Sequence, residues 1–237
     1  MPFKRLFKRL GKASPPPAIA IDGPVASGKT TVGLKVAKRL VYRFLDTGLM
    51  YRSVTLLAIE QKVPLSDAST LARIAQTLPL RLGEIGQDEA PPMVYLNERD
   101  VTRDLVAPAV DRAVSQVSAV PGVRQALVQK QREMAQAGRI VMIGRDIGTV
   151  VLPDAPLKVY LVASAEERAR RRYEERRQRG EAMTYESVLE DLRRRDKLDS
   201  ERAASPLKPA GDARHVDTDG RTIDQVVAAI CALAGRP

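Results

Sequence analysis

An apolar run, Ala18–Asp22 (AIAID), passes without a break into Gly23-Pro24-Val25-Ala26-Ser27-Gly28-Lys29-Thr30, and Val32, Val36, Ala37 and Leu40 then recur at helical spacing. A short, nearly continuous apolar run bounded by a turn reads as a strand buried on both faces of a parallel sheet. The period that follows places a helix directly behind the loop. Strand, glycine loop and helix in that order open an α/β unit, which strongly limits the folds open to the chain. The loop satisfies G-x-x-x-x-G-K-[ST]. Its glycines let the backbone wrap an anion, so that N–H groups and the helix start face it together. Lys29 then sets a cation beside the terminal phosphates of a nucleotide, and Thr30 offers a hydroxyl to Mg²⁺. The expected phosphate-binding set is Gly23, Pro24, Val25, Ala26, Ser27, Gly28, Lys29, Thr30 and Thr31.

The rest of the chain continues in the same style. Tyr42–Leu45 reads as a second strand ending at Asp46, and Leu49–Ile59 as a helix. Asp46 is read either as a group that sees Mg²⁺ through water or as a plain strand-end cap. Ser66–Leu78 is expected to be helical with Ser66 as its cap. Leu80–Gly86 and Met93–Leu96 read as short strands, Asn97–Asp100 as a hairpin turn, and Leu105–Val120 as a helix. A helix over Val123–Ala137 precedes a buried strand, Ile140–Ile143, with Gly144–Gly148 at its carboxyl end. Leu157–Leu161 is the next strand. Charged helices follow over Ala165–Arg179 and Tyr185–Asp196, then a strand at Arg214–Asp217 and a helix at Ile223–Leu233. The expected architecture is a three-layer α/β/α fold with a parallel central sheet. A core of 18–62 and 114–237 carries a small α+β insert at 63–113 and a helical lid at about 164–202.

Charge narrows the partners. With 39 cations against 29 anions the formal charge is +10, which favours anionic ligands. Residues 1–17 form a basic tail, expected to be flexible, in which Lys4, Arg5, Lys8, Arg9 and Lys12 meet no acid. Contact between that tail and nucleic acid is a secondary expectation. From Glu166 to Arg202 the charges nearly cancel, so this stretch is not a bulk basic patch and its individual arginines have separate jobs. Aromatics at 4% make a base-stacking nucleic-acid platform a poor fit. A lone cysteine, Cys231, excludes an internal disulfide or a cysteine zinc cluster and fits a reducing, cytoplasmic setting. No stretch approaches the ~20 apolar residues of a membrane span, and the N-terminus has no apolar signal region.

The glycine loop alone does not choose among nucleotide-driven classes. No N-K-x-D base-reading motif occurs, which argues against a GTPase, and IVMI runs into Gly144 where a motor usually carries an acid. Scattered arginines suit a kinase that holds two anionic substrates phosphate to phosphate, each guanidinium gripping as a planar fork.

The ordered series IDGPVASGKT, LDTGLMYR (45–52), VSQVSAVPGVRQAL (114–127), GRDIGTVVLPDAPLKVYL (144–161), SAEERARRR (164–172) and RRDKLDSERAASPL (194–207) resembles bacterial cytidylate kinases, a nucleoside monophosphate kinase family. The resemblance covers most of the chain from Ala18 onward. It implies transfer of a phosphoryl group from ATP, with Mg²⁺, to CMP, and to dCMP as a second acceptor; a cytoplasmic monomer is expected. It also implies that Thr47, Tyr51 and Arg52 line the monophosphate site, with Arg52 on the phosphate. Ser115, Arg124 and Asp146 would hydrogen-bond the pyrimidine edge. Arg145 and Arg195 would bridge acceptor and transferred phosphates and, with Lys29, carry the catalysis. Asp199 and Arg202 would reach the acceptor around its sugar, and the arginines of Ala165–Arg179 would belong to a lid over ATP. The 63–113 insert is similar to the acceptor-binding subdomain that separates these kinases from the shorter adenylate kinases.

Three positions depart from the family pattern. Ile143 stands where an Asp usually precedes Gly-Arg-Asp, an acid expected close to the acceptor phosphate. Thr47 replaces a frequent Ser and keeps the hydroxyl. The segment RDLVAPAV (103–110) departs from the family's usual arginine and acid. UMP or another small acceptor, and a non-catalytic nucleotide- or RNA-binding role, stand as alternatives.

Overall fold

The computed structural model describes residues 17–86, 90–202 and 204–235. The basic tail at residues 1–16, and with it the expectation of nucleic-acid contact, lies outside the described residues.

Five strands, β1 (Ala18–Asp22), β2 (Arg43–Asp46), β6 (Ile140–Gly144), β7 (Leu157–Val162) and β8 (Arg214–Asp217), form one parallel sheet in the order β2-β6-β1-β7-β8. Alternation along β1 explains the layering. Ile19 and Ile21 face a core that α1 (Lys29–Leu40) and α8 (Ile223–Leu233) cover, with Phe44, Val141 and Ile230. Ala20 faces the opposite core with Leu45, Met142, Val54 and Leu127, under α2 (Thr47–Glu60) and α5 (Pro121–Ala135). That core continues outward through α3 (Ala68–Gln76) to Val94, Leu96 and Leu105, so the small antiparallel sheet β3 (Leu80–Leu82), β4 (Val94–Leu96) and β5 (Arg99–Asp100) hangs on the same apolar mass. Two charged helices, α6 (Ala165–Gln178) and α7 (Tyr185–Glu201), pack on each other. The fully buried part of their own core is Ala169, Val188 and Leu192 with Val25 from the glycine loop, and Tyr173, Met183, Tyr185 and Leu189 pack around it half-buried.

Register positions the site. Asp22 pairs with Gly144 and Asp46 with Ile143, so β1, β2 and β6 end level with one another. The loops after them therefore open at one carboxyl edge of the sheet, where ligands of such folds bind.

Several local expectations shift. Asp67, not Ser66, caps α3, its carboxylate accepting from the Thr70 N–H at 3.0 Å. The Leu80–Gly86 strand stops at Leu82, and Arg99–Asp100 leaves the turn to become β5. The single helix expected over Leu105–Val120 is broken: a 3₁₀ turn covers Asp104–Val106, and α4 (Pro108–Ala119) begins at Pro108. Proline suits a first helical position and disfavours helix before it, which moves the boundary. α7 runs on to Glu201, five residues past Asp196, because Arg195 and Asp199 are buried inward at helical spacing. Among the described residues no helix is long and apolar enough to cross a membrane.

Candidate active site

The glycine loop leaves β1 tightly. A Cβ on Gly23 would stand 2.7 Å from the Leu161 carbonyl oxygen, so only glycine fits there. Gly28 takes the left-handed conformation at φ +86° and starts α1. Lys29 folds back over the loop, donating to the Pro24 carbonyl at 2.6 Å and to Ser27 at 3.2 Å. Burial lowers its pKa well below the ordinary value, and Arg145 adds to the effect against Asp46, Asp22 and Asp199. Thr30 donates from Oγ1 to Asp46 Oδ2 at 2.8 Å, while Asp46 Oδ1 accepts from the Gly48 N–H at 2.9 Å. Asp46 is thus both a cap of α2 and a carboxylate on the loop threonine.

Asp22 was not singled out by its sequence position, since an acid at a strand end usually meets water. Here it is buried and accepts from the N–H groups of Ile147 and Gly148, both at 2.8 Å. These bonds fasten the end of β1 to the turn after β6. Burial raises its pKa from 3.8 to about 6, with Asp146 contributing, although the two N–H groups pull the other way.

Across the cleft, α2 and α5 present the residues expected to hold the acceptor. Thr47 is buried and donates to the Ile143 carbonyl at 2.9 Å. Arg52 donates to the Leu105 carbonyl at 2.9 Å and to Asp111 Oδ1 at 2.6 Å. Arg124 is a buried partner of Asp146, donates also to the Ser118 carbonyl at 3.2 Å, and lies over the Tyr51 ring at 5.3 Å. Arg145 donates to Asp199 at 2.9 Å. Arg202 donates to the Ser205 carbonyl at 2.5 Å and sits 3.9 Å from both Asp146 and Asp199. Arg124 Nε, Arg195 Nε and Arg202 Nη2 are buried without a hydrogen-bond partner, on residues that line the cleft.

Apart from Asp22 and Asp111, the charged side chains described above border one cleft of about 720 Å³. It takes in Val25 to Thr31, Asp46, Thr47, Tyr51, Arg52, Ser115, Arg124, Arg145, Asp146, Arg195, Asp199 and Arg202. Gly23 and Pro24, of the expected set, stand behind the lining. Beyond the loop the cleft continues past Arg171 to Thr218, Arg221 and Ile223, which the sequence did not single out. Arg171 joins the two sides there, donating to Thr218 Oγ1 at 3.0 Å and to its carbonyl at 2.8 Å.

Two departures acquire a location. Ile143 packs in the core under α1, where a Cβ on Gly33 would meet its side chain at 2.6 Å, whereas Tyr51 belongs to the core on the other face of the sheet. Ile143 also stands among the residues that line the cleft, beside Gly144 and Arg145. Just past the altered 103–110 segment stands Asp111, in the first turn of α4, buried and surrounded by arginines.

Comparison with known proteins agrees with this geometry. The family model described as cytidylate kinase matches residues 19–236. A cytidylate kinase of Carboxydothermus hydrogenoformans is 45% identical over 92% of this chain and 97% of its own length. One of Nocardia farcinica is 48% identical over 90% of each. Among solved structures, an uncharacterized protein from Eubacterium ventriosum superposes with a TM-score of 0.51 at 14% identity over 92% of this chain and 97% of that one, a likeness of fold alone. Likeness at this level of identity, running from β1 past the end of α8, makes the chain a member of the cytidylate kinase family.

Proposed function

We propose that the chain transfers the γ-phosphoryl group of ATP to CMP, and to dCMP as a second acceptor, giving ADP and the corresponding diphosphate. The observation that carries this reading is the single cleft. The glycine loop lies along one part of it, and Arg52, Arg124–Asp146, Arg145, Arg195 and Arg202 lie along another, within one chain. Two anionic substrates fit there phosphate to phosphate, and a monomer supplies every group.

Val25 to Thr31 cradle the ATP phosphates, and the extension past Arg171 toward Thr218, Arg221 and Ile223 takes the rest of the donor nucleotide. Thr30 Oγ1 and Asp46 Oδ2, 2.8 Å apart, form the oxygen pair that suits Mg²⁺. Among the described residues no group of three or more His, Cys, Asp or Glu is clustered to hold a metal. When bound, Mg²⁺ would neutralise charge on the β- and γ-oxygens.

Arg52 and Arg195 grip the acceptor phosphate, Arg124 and Asp146 with Ser115 meet the pyrimidine edge, and Asp199 with Arg202 meet the sugar. Thr47 and Tyr51 wall the site. The acceptor oxygen is already ionised near neutral pH, since a second phosphate pKa lies near ~6, so no strong general base is required. It attacks the γ-phosphorus in line with the leaving ADP oxygen. Lys29, Arg145 and Arg195 stabilise the charge spread over the transferred oxygens, and their fixed positions do most of the work. The 63–113 insert and the α6–α7 lid close on the two nucleotides and keep out water, which would otherwise take the phosphoryl group.

An acceptor panel with ATP and Mg²⁺, followed by ADP release, tests the reading. CMP should turn over fastest, with dCMP next. Equal or faster turnover of UMP would replace CMP by another acceptor, and ADP release that no acceptor stimulates would remove the kinase reading.

A further inference from the structure

At Asp111 two acceptor-phosphate arginines, Arg52 and Arg195, meet two arginines of α6. Its Oδ1 accepts from Arg52 of α2 at 2.6 Å and from Arg195 of α7 at 3.2 Å. Its Oδ2 accepts from Arg172 and Arg176 of α6 at 3.0 and 2.7 Å. One oxygen therefore serves the acceptor-phosphate grip and the other serves the lid. A carboxylate offers about four lone-pair sites, so these four guanidiniums saturate it. Burial works against ionisation, but Arg195, Arg52 and Arg172 hold the carboxyl well below the usual carboxylate range. The group is therefore charged throughout the working pH range.

The arginines need such a partner. Burial lowers the pKa of Arg195, and Arg52 and Arg145 repel it, while Asp111 is the leading opposing influence. Four like charges converging on one spot would splay into solvent without a counter-charge. The two lid arginines have further acids, Glu175 at 2.9 Å from Arg172 and Glu181 at 3.7 Å from Arg176. Those acids lie within or just beyond α6 and cannot tie it to another element. Asp111 ties α6 and α7 to α4 and, through Arg52, to α2.

We infer that Asp111 is a positioning residue for phosphoryl transfer: it preassembles Arg52 and Arg195 for the acceptor phosphate and latches Arg172 and Arg176 of the lid to that same point. The inference rests on the reading of Arg52 and Arg195 as the acceptor-phosphate grip.

The test compares Asp111→Asn, which keeps the shape and loses the charge, with Asp111→Glu, which keeps the charge. Steady-state kinetics with CMP and ATP are run beside limited trypsin digestion of the unliganded protein, since Arg176, Arg177 and Arg179 flank the α6–α7 connection. For Asp111→Asn, kcat/KM for CMP should fall about 10- to 100-fold, the range expected for losing one or two charge-assisted bonds. Trypsin should cut at the lid several-fold faster, and CMP with a non-hydrolysable ATP analogue should restore protection. Asp111→Glu should recover part of both. The inference is overturned if Asp111→Asn changes kcat/KM less than twofold with unchanged lid cleavage, or if the Glu variant loses as much as the Asn variant. Should Asp111→Asn fail to fold, the double variant Arg172→Gln/Arg176→Gln removes the lid half alone, and because it also removes two trypsin sites its lid is compared with wild type by limited chymotrypsin digestion, which reads Tyr173 and Tyr185. Faster lid cleavage there supports the latch, and an unchanged rate refutes it. A wild-type protein inactive toward CMP would refute the underlying reading instead, and the cleavage comparison would still decide the latch.

Discussion

Replacing Arg124 with Met tests the acceptor site where its structural cost is easiest to work out. Arg124 and Asp146 pair in the interior, with side chains 5% and 6% exposed. Arg124 also donates to the Ser118 carbonyl at 3.2 Å and covers the Tyr51 ring at 5.3 Å. Methionine keeps the apolar stem and removes the charge. Stranding one partner of a buried ion pair costs about 3–5 kcal/mol. The lower end applies here, because Arg202 stands 3.9 Å from Asp146 and compensates in part. For a chain of this length about 3 kcal/mol corresponds to a drop of roughly 6–12 °C in Tm. Urea unfolding of Arg124→Met, Asp146→Asn and the double variant closes a cycle. The double variant should be less destabilised than the sum of the singles, with a coupling of about 1–3 kcal/mol. In the same proteins kcat/KM for CMP should fall about 10- to 100-fold, as expected for a lost charged hydrogen bond, and the preference for CMP over UMP should narrow. Additive stabilities together with an unchanged CMP preference would refute both the pair and its role.

Other outcomes follow from the donor side. Lys29→Ala should lower kcat by about 100- to 1000-fold, as for removal of one preorganised donor to a developing charge, while thermal unfolding shows a folded protein. A kcat close to the parent's would remove the glycine loop from the chemistry. Asp22 gives a pH signature: its folded pKa of about 6 lies above the ordinary 3.8, so folding takes up a proton between these values. Its ionisation thus weakens the native state as pH rises from about 4 through 6, by up to about 3 kcal/mol. Wild type should accordingly lose stability relative to Asp22→Asn over that window in urea unfolding, and a pH-independent difference would contradict this. Gly23→Ala, which sets a Cβ 2.7 Å from the Leu161 carbonyl oxygen, should destabilise by about 1–3 kcal/mol, read as a lower urea midpoint.

What was legible in the chain was what is contiguous. Gly23 to Thr30 could be read as a phosphate loop because its chemistry depends on residues adjacent in sequence, and β1, β6 and β7 because buried parallel strands are apolar runs. The cytidine-side residues came through the resemblance, and the cleft gathers them at one place. Asp111 could not be read in this way. Its four arginines lie 59, 61, 65 and 84 residues away along the chain, and no local pattern distinguishes that acid from a solvated one. Asp22 was missed for a similar reason, since its partners are backbone N–H groups 125 and 126 residues on. The overlong helix across Leu105–Val120 came from following apolar periodicity through Pro108, where backbone sterics outrank the pattern.

Transfer from ATP to CMP inside one cleft is tested most directly by ³¹P NMR of ATP, Mg²⁺ and CMP with the purified chain. CDP and ADP should appear in equal amounts, with little inorganic phosphate, and ATP alone should be consumed far more slowly. Inorganic phosphate forming in step with ADP, or no CDP signal, would contradict the account.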